Sequence, residues 1–247
     1  APLVHNITNY VAMNFSANAL LAAGASPVMA HAVEEVAEMT SIASALVINI
    51  GTLDSQWIQG MMAAGNAMRK RGGFIVLDPV GAGATSFRTD VAWQLIDSCK
   101  PDVVRGNGSE IMALMNADIR SKGVDSSTLS HDALDSAKAL SRQINAVVTI
   151  SGATDYVTDG ERVETISNGS PMMTLVTAMG CTASSMIGAF AAVDDDAFSA
   201  SLHAMALMGV AGEMAAKKSA GPGSLLSNFV DELYNISPEI LANNVRQ

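Results

Sequence analysis

The amino-acid sequence predicts an α/β fold: a three-layer α-β-α arrangement with a mostly parallel central sheet. Two observations lead to this prediction. Short apolar runs that end in Gly, Pro or an acidic residue alternate with helical segments, a pattern typical of parallel sheets with right-handed crossovers. The composition agrees, because 49% of the residues are hydrophobic but only 4% are aromatic. Strands buried on both faces are rich in aliphatic residues.

Length and charge limit the organisation and the partners of the chain. Its 247 residues suffice for one large core, and no change in composition divides them, so we expect a single domain over 1–247. The formal net charge of −10 disfavours nucleic acids and anionic membranes, which bind basic surfaces. We also expect no membrane partner because no apolar run is long enough to span a bilayer.

The first residues and the cysteines indicate the compartment. Residues 1–5 (APLVH) lack the basic and apolar regions of a signal peptide, so we expect none. Cys99 and Cys181 are far apart and have no metal-type spacing. Two cysteines in a chain of this length are no disulfide framework, and we therefore expect a cytoplasmic protein.

The first half of the chain contains three short apolar runs that have the composition of buried strands, separated by helical segments. We predict the strands at 25–29, 46–51 and 74–79, and the helices at 16–24, at about 33–45, and from the second strand to about 71. Gly24 is expected to end the first helix, since glycine is common just after a helix C-terminus. The segment that starts at Asn6 begins polar and has no strand prediction.

The second half continues the alternation and adds a hairpin. A strand is expected to end near Arg105, with a turn at Asn107 and a helix that opens at Glu110. Beyond these we predict a loop at 123–130, a helix at 136–143, a strand at 146–152, a hairpin at 156–163 with Asp159-Gly160 as its turn, helices at 177–190 and 203–216, and a loop at 221–224.

Three candidate site residues close predicted strands. In open α/β sheets, ligands bind at the carboxyl ends of the strands. Met29, Gly51 and Asp78 lie at such ends. The alternatives are core packing for Met29 and a turn role for Asp78, which precedes a proline. The glycine-rich stretch that follows, at 81–85 (GAGAT), lacks the P-loop pattern.

The stretch from Asp102 to Ile111 offers polar groups suited to phosphate and metal. Arg105 at a strand end can bind a phosphate through its planar set of donors. Asn107 and Glu110, three residues apart, would project on one side of the turn and offer the oxygen ligands that Mg²⁺ prefers. Helix capping is the alternative, with Asn107 or Ser109 as the cap and Glu110 in the favourable first turn, and both roles are compatible.

The segment at 177–190 (TAMGCTASSMIGAF) combines a turn glycine with small and apolar residues. A helix that is apolar nearly all round is usually buried. Its first turn would present unpaired N–H groups to an anion, and Cys181 falls in that turn. An ordinary buried cysteine is the alternative.

Several stretches, in the same order along the chain, strongly resemble hydroxyethylthiazole kinases of the ribokinase-like superfamily. They are NITN at 6–9 with GASPVM at 24–29, RGNGSE at 105–110 and VTAMGC at 176–181. The likeness runs from the first residues to beyond Ala192, so it covers most of the chain.

The resemblance implies an activity, its ligands and an assembly. The family phosphorylates the hydroxyl of 4-methyl-5-(2-hydroxyethyl)thiazole with MgATP, in the salvage of the thiazole half of thiamine. ATP would be the co-substrate and Mg²⁺ the cofactor. Because family members are typically trimers with the thiazole pocket between subunits, we expect a homotrimer.

The resemblance also assigns site residues. The thiazole would contact Met29, with Asn9, Val11, Gly51 and Ala178 as further substrate residues. ATP would contact Arg105, Ser151 and Asn107. Asp78 and Glu110 match the acids that organise Mg²⁺. The chain departs from the family twice, since Ala178 replaces a usual Gly and Ser151 a usual Thr; we expect shifted Michaelis constants rather than lost activity.

For the mechanism, the N–H groups of Met179, Gly180 and Cys181 are expected to bind the transferring phosphoryl group, while Arg105 and Mg²⁺ offset the remaining charge. Most ribokinase relatives have an Asp at the position of Cys181 as general base. A thiol, with a reference pKa of about 8.5, is a poorer base unless the helix terminus lowers that pKa. The sequence leaves open whether Cys181 is a base or an orienting group.

Three other functions compete with this one. A related kinase for hydroxymethylpyrimidine or pyridoxal is disfavoured by Cys181, where those relatives generally have Asp. A catalytically silent protein could bind nucleotide and thiazole on the same fold. A cysteine hydrolase is the weakest alternative, because no His follows Cys181 in a recognisable triad order, with His203 as the remaining candidate.

Overall fold

A computed structural model describes residues 1–115 and 126–247 of the chain. In these ranges an eight-stranded sheet has the strand order β2-β1-β3-β4-β5-β6-β7-β8. The strands are β1 Leu3–Ile7, β2 Ser26–Val28, β3 Ala45–Asn49, β4 Phe74–Asp78, β5 Val103–Asn107, β6 Val147–Ser151, β7 Asp155–Thr158 and β8 Val163–Ile166. All pairings up to β6 are parallel, and β7 and β8 add an antiparallel edge. The predicted mostly parallel sheet is confirmed.

Helices cover both faces of the sheet. They are α1 Met13–Ala22, α2 Val36–Ile42, α3 Ser55–Lys70, α4 Ser86–Cys99, α5 Gly108–Met115, α6 Ser126–Ile144, α7 Met179–Ala191, α8 Ala197–Lys218, α9 Pro222–Asn235 and α10 Pro238–Asn244, with a short 3-10 helix at Pro171–Leu175. Alternate strand residues point to opposite faces. Val47 and Val76 join an apolar core with α1, α7, α8 and α9, whereas Leu46 and Ile75 join another with α3, α4 and α6. The three-layer α-β-α prediction is therefore confirmed.

Helix α7 packs closely on the middle of the sheet, as its small residues predict. A Cβ atom at Gly188 would lie 2.5 Å from Cγ2 of Val47 on β3, so only glycine permits this approach. The helix is buried along nearly its whole length, from Met179 to Ala191. This packing places the first turn of α7 at the carboxyl edge of the parallel strands.

Strand β1 has no counterpart among the predicted elements. Its residues His5 and Asn6 are polar yet fully buried, and they interrupt the apolar pattern that indicates a strand. The imidazole of His5 is hydrogen-bonded to Thr40 Oγ1 (3.0 Å) and to the carbonyl of Ala30 (2.7 Å). Asn6 Oδ1 accepts a hydrogen bond of 2.8 Å from Ser185 Oγ. Tertiary partners absent from the local sequence make these polar strand residues stable.

Several element boundaries agree with prediction. Gly24 has φ +86° and follows α1, as expected of a residue after a helix C-terminus. The hairpin of β7 and β8 turns through Gly160, whose φ is +94°. The predicted strands at 25–29, 46–51, 74–79 and 146–152 appear as β2, β3, β4 and β6, each shorter by one or two residues.

Other boundaries were wrong. The helix expected at 33–45 covers only Val36–Ile42, because Ala45 already pairs with Val4 of β1. The segment 221–224 is no loop; Gly221 precedes α9, whose first residue Pro222 has the fixed φ that suits a helix start. In the loop predicted at 123–130, residues 126–130 belong to α6, and 123–125 lie outside the described residues.

The expected turn between β5 and α5 is tighter than predicted. Strand β5 continues past Arg105 to Asn107, and α5 begins at once at Gly108 instead of Glu110.

Within residues 1–115 and 126–247, none of the helices has both the length and the apolar character needed to cross a membrane.

Candidate active site

A buried network of side chains joins the carboxyl ends of β1, β3 and β4 to helix α7. Asn9 Nδ2 donates to Asn49 Oδ1 (2.9 Å) and contacts Cys181 Sγ at 3.3 Å. Asn49 Nδ2 donates in turn to Asp78 Oδ2 (2.8 Å). Ser184 Oγ of α7 donates to the same carboxylate oxygen at 2.7 Å. Thus four of the expected segments meet at one edge of the sheet.

Asn49 was not among the candidate residues, although it organises this network. It is 1% exposed, and its Oδ1 accepts a second hydrogen bond of 2.9 Å from the N–H of Gly51. The available sequence evidence was one polar residue inside the apolar run LVINI, next to a strand end. The Asn49 amide thus links two groups: its Oδ1 accepts from the N–H of Gly51, and its Nδ2 donates to the carboxylate of Asp78.

Asp78 is fully buried, and burial raises its pKa to about 6. The Arg105 guanidinium opposes this rise, whereas the Glu110 carboxylate adds to it. The shortest contact between Arg105 and Asp78 is 3.6 Å, from Nη1 to Oδ2. The other carboxylate oxygen, Oδ1, has no hydrogen-bond partner among the described residues. Asp78 therefore has one oxygen committed to the protein and one that is free for a ligand.

Arg105 extends from β5 toward the start of α7. Its Nη2 donates to Ser151 Oγ at the end of β6, and its Nε has no acceptor within the described ranges. The guanidinium packs on the backbone of Gly180, where a Cβ would lie 2.7 Å from Nη1. The structure therefore brings Arg105, Ser151, Asp78 and Gly180 together.

The first turn of α7 offers free backbone donors. The first backbone hydrogen bond in α7 runs from Thr182 N–H to the carbonyl of Ala178, and in the described ranges the N–H groups of Met179, Gly180 and Cys181 have no protein acceptor. Ala178 precedes the helix in the left-handed conformation, with φ 68° and ψ 2°. This geometry can bind an anion, because unpaired N–H groups and the helix dipole both favour negative charge.

The pKa of the Cys181 thiol is raised, first by burial and next by the Asp78 carboxylate. Hydrogen bonds from Asn9 and Asn49 and the charge of Arg105 act in the opposite direction but are smaller. Because its pKa is raised, the thiol of Cys181 is neutral at physiological pH and is poorly suited to act as a base.

The carboxylate of Glu110 has a structural role and is also a candidate ligand for Mg²⁺. Its Oε1 accepts from the N–H of Gly81 and its Oε2 from the N–H of Asn107, both at 2.8 Å. Asn107 Oδ1 accepts in turn from the N–H of Glu110 at 2.9 Å and from Ser109 Oγ at 2.7 Å. The capping role considered for Asn107 and Glu110 is present, and it also fixes the glycine-rich loop after β4.

A cavity of about 360 Å³ adjoins this end of the sheet. It includes Asn107 and Ser151, two of the expected nucleotide residues. Its lining is Asn107, Gly108, Ser109, Met112, Ala133, Ile150, Ser151, Gly152, Ala153, Thr154 and Tyr156. Such a mixture of apolar and hydroxyl groups around a concave site is typical of small-molecule pockets.

The structure does not join every expected substrate residue to the network. Met29 directly follows β2 and is half-buried, and Val11 is 63% exposed in the turn after Asn9. In the described ranges, no hydrogen bond, ion pair or ring contact links Met29 or Val11 to Asp78 or Cys181.

Comparison with known proteins gives consistent matches over nearly the whole chain. The model of the hydroxyethylthiazole kinase family matches residues 1–239. A hydroxyethylthiazole kinase of Syntrophus aciditrophicus (strain SB) is 52% identical over 247 residues, which is 100% of this chain and 92% of the relative. One from Nitratidesulfovibrio vulgaris (strain DP4) is 53% identical over 236 residues, covering 96% of this chain and 88% of the relative.

Solved structures agree with these matches. The structure of a hydroxyethylthiazole kinase protein from Pyrococcus horikoshii OT3 superposes with a TM-score of 0.92 at 42% identity, covering 99% of this chain and 92% of that one. The pyridoxal kinase from Staphylococcus aureus in complex with AMP-PCP and pyridoxal has a TM-score of 0.64 at 16% identity, covering 86% of this chain and 88% of that one. The latter likeness concerns the fold alone, which is ribokinase-like.

Proposed function

The chain belongs to the hydroxyethylthiazole kinase family, and from this membership we propose that it is an enzyme that phosphorylates 4-methyl-5-(2-hydroxyethyl)thiazole in thiamine salvage. It transfers the γ-phosphoryl group of ATP to the hydroxyl of the thiazole. The family match over residues 1–239 carries this proposal. The buried network at Asp78, Arg105 and Cys181 supports it, because phosphoryl transfer depends on positioned charge and donors more than on covalent chemistry.

ATP occupies the cavity next to β5 and β6 in this proposal. Asn107 and Ser151 line that cavity, and Arg105 lies beyond it with its Nη2 donating to Ser151 Oγ. A base and ribose in the cavity would direct the phosphates toward the guanidinium, whose planar donors suit phosphate oxygens. The absence of a protein acceptor for Arg105 Nε in the described ranges supports a ligand there.

Mg²⁺ fits the two acids of this site. Asp78 Oδ1 is buried and has no hydrogen-bond partner among the described residues, and each Glu110 oxygen accepts a backbone N–H but retains a free lone pair. Among the described residues, no group of three or more His, Cys, Asp and Glu side chains is arranged to hold a metal ion. This suits Mg²⁺, which commonly binds one or two carboxylates and takes its other oxygens from water and phosphates. When bound, the ion would neutralise charge on the phosphates.

The transferring phosphoryl group binds the N–H groups of Met179, Gly180 and Cys181. These donors have no protein acceptor in the described ranges, and Arg105 lies behind Gly180. Preformed donors that face developing charge are a large source of rate acceleration. Helix α7 is fixed for this purpose by its close packing on β3.

Cys181 orients the alcohol instead of removing its proton. Its neutral thiol contacts Asn9 Nδ2 at 3.3 Å, so the two side chains form one polar surface at the mouth of the anion site. A strong base is not needed early in the reaction, since most analyses of phosphoryl transfer describe a loose transition state. The hydroxyl proton leaves late and passes to an oxygen of the transferred phosphoryl group.

The thiazole pocket comprises Met29, Ala178, Asn9, Val11 and Gly51, and we propose that a second subunit completes it in a homotrimer. This proposal is supported by two exposed apolar side chains next to Asn9. Tyr10 is 62% exposed and Val11 is 63% exposed. Contiguous exposed apolar groups at a site commonly mark an interface.

The two free thiols further support a reducing, cytoplasmic location, and residues 1–247 would form a single domain.

The test is ADP release with MgATP and each of three alcohols: the hydroxyethylthiazole, hydroxymethylpyrimidine and pyridoxal. We expect turnover that depends on the thiazole. Turnover with only another alcohol would favour the related vitamin kinases and reject the substrate. Binding of ATP and thiazole without ADP release would favour the silent binding protein.

A further inference from the structure

Arg88 joins two loops that carry candidate site residues. It lies in the first turn of α4, and its Nη1 donates to the carbonyls of Ile50 (2.8 Å) and Val80 (2.7 Å). Its Nη2 donates to the carbonyl of Gly51 at 3.0 Å. One guanidinium therefore spans the loop after β3 and the loop after β4.

The bridged loops belong to different parts of the proposed site. The N–H of Gly51 donates to Asn49, which contacts Asn9 and Asp78 on the acceptor side. On the other loop, the N–H of Gly81 donates to Glu110, an acid of the proposed metal site. Arg88 thus connects the loop of the alcohol pocket to the loop next to the phosphates.

The position of Arg88 is unfavourable for helix stability alone. A positive charge in the first turn of a helix opposes the helix dipole. In the described ranges Arg88 forms no ion pair that would offset this cost. Gly81, whose φ is +76°, leaves room for this side chain, because a Cβ there would lie 3.0 Å from Cδ of Arg88.

We propose that Arg88 is a positioning residue for phosphoryl transfer, which holds the loop of Gly51 at the distance from the loop of Gly81 that alcohol binding requires. This inference rests on the proposed function, because that function makes Gly51 part of the alcohol pocket. A planar guanidinium can reach all three carbonyls at once, whereas a lysine ammonium on a flexible stem cannot reproduce this geometry.

Arg71 provides a matched control. Its Nη1 also donates to three carbonyls, those of Thr40 and Ser41 at 2.9 Å and of Ala43 at 2.5 Å. These carbonyls lie in the last turn of α2 and just after it, before the amino end of β3, at the opposite edge of the sheet from the site. Replacing Arg71 therefore removes a similar set of hydrogen bonds without touching the proposed pocket.

The experiment measures kcat and both Michaelis constants for wild type, Arg88→Lys and Arg71→Lys, with thermal unfolding of each. For Arg88→Lys we expect KM for the alcohol to rise about tenfold or more, the effect of losing hydrogen bonds to a charged group. KM for MgATP should change less than about threefold, because Arg88 does not line the nucleotide cavity. Arg71→Lys should lower the melting temperature and leave both constants near wild type.

Equal effects of the two substitutions on KM for the alcohol would overturn the inference. If Arg88→Lys does not fold, Arg88→Gln, which keeps side-chain N–H donors, replaces it. Failure of both Arg88 variants to fold while Arg71→Lys folds would also overturn it, since Arg88 would then be needed for folding itself. Absence of thiazole turnover in the wild type would separately reject the proposed function. The Arg88 variants would then be compared with the alcohol that the enzyme does phosphorylate.

Discussion

The guanidinium of Arg105 lies directly against the backbone of Gly180. A Cβ atom at Gly180 would come within 2.7 Å of Nη1 and 3.0 Å of Nη2, so a side chain there would push the guanidinium aside. The absence of a side chain at Gly180 thus allows a strand-end arginine and the free N–H groups of α7 to face the same point. This contact is the basis of the proposed phosphate site.

Gly180→Ala should lower kcat/KM about 100-fold or more, because the added methyl group displaces Arg105, and small misplacements at a reacting centre have effects of this size. Gly223→Ala is the matched control. Gly223 is also the second residue of its helix, α9, but nothing lies within 4 Å of the position of its Cβ. Steady-state kinetics of both variants check this prediction, and equal activities would contradict it.

Cys181→Ser should reduce turnover less than about tenfold. Burial and the Asp78 carboxylate raise the pKa of the thiol, so it is protonated at neutral pH and has no role as a base to lose. Serine retains a group that can accept from Asn9. A loss of about 100-fold or more, the usual contribution of a general base, would show that the thiol takes the proton. Turnover of Cys181→Asp equal to or above wild type would agree with the orienting role.

Ala178→Gly should raise the free energy of unfolding by about 1 kcal/mol. Ala178 has φ 68°, and the left-handed conformation costs about 1 to 2 kcal/mol for a residue with a Cβ. Ala63→Gly, in the middle of α3, should instead lower stability by about 1 kcal/mol, the usual cost of glycine in a helix. Denaturant unfolding measures both, and a loss of stability in Ala178→Gly would contradict the expected strain.

Asp155→Asn should stabilise the protein at pH 8 by about 2 to 3 kcal/mol. Burial raises the pKa of Asp155 from 3.8 to about 6, against the opposing hydrogen bond from Gly152 and the charge of Arg105. Between these values the folded protein binds more protons than the unfolded chain, so stability falls as pH rises. The amide of asparagine removes this loss and can still accept from the N–H of Gly152, a bond of 2.9 Å.

The gain from Asp155→Asn should therefore shrink as pH falls from about 6 to about 4 and vanish below about 4, which unfolding curves across pH will show. Asp159→Asn is a control of opposite sign. Slight burial acts to raise the pKa of Asp159, but hydrogen bonds from Arg162 outweigh burial, and the pKa is lowered. That variant should be less stable than wild type at neutral pH, with a difference that disappears at low pH. A gain from Asp155→Asn that does not depend on pH would contradict the assigned cause.

The sequence predicted the sheet well because its strands are buried on both faces and are therefore continuously apolar. Strand β1 escaped prediction for the opposite reason, since His5 and Asn6 are stabilised by Thr40, Ala30 and Ser185, which are distant in sequence. Boundaries such as the start of α9 at Pro222 were missed because glycine and proline indicate a loop and a helix start equally well.

The site was partly predictable. The strand-end rule brings Gly51 and Asp78 to one edge, but the resemblance alone assigned Asn9 and Ser151 to it. The link through Asn49 and the bridge through Arg88 could not be predicted, because both depend on which loops become neighbours in the folded chain.

The most direct test of the central claim is phosphorus NMR of the reaction of MgATP with the hydroxyethylthiazole, using wild type and Arg105→Ala. We predict a new phosphomonoester signal that grows in proportion to ADP with wild type and is nearly absent with Arg105→Ala. Release of inorganic phosphate without a phosphomonoester, or equal product formation by both proteins, would contradict the account.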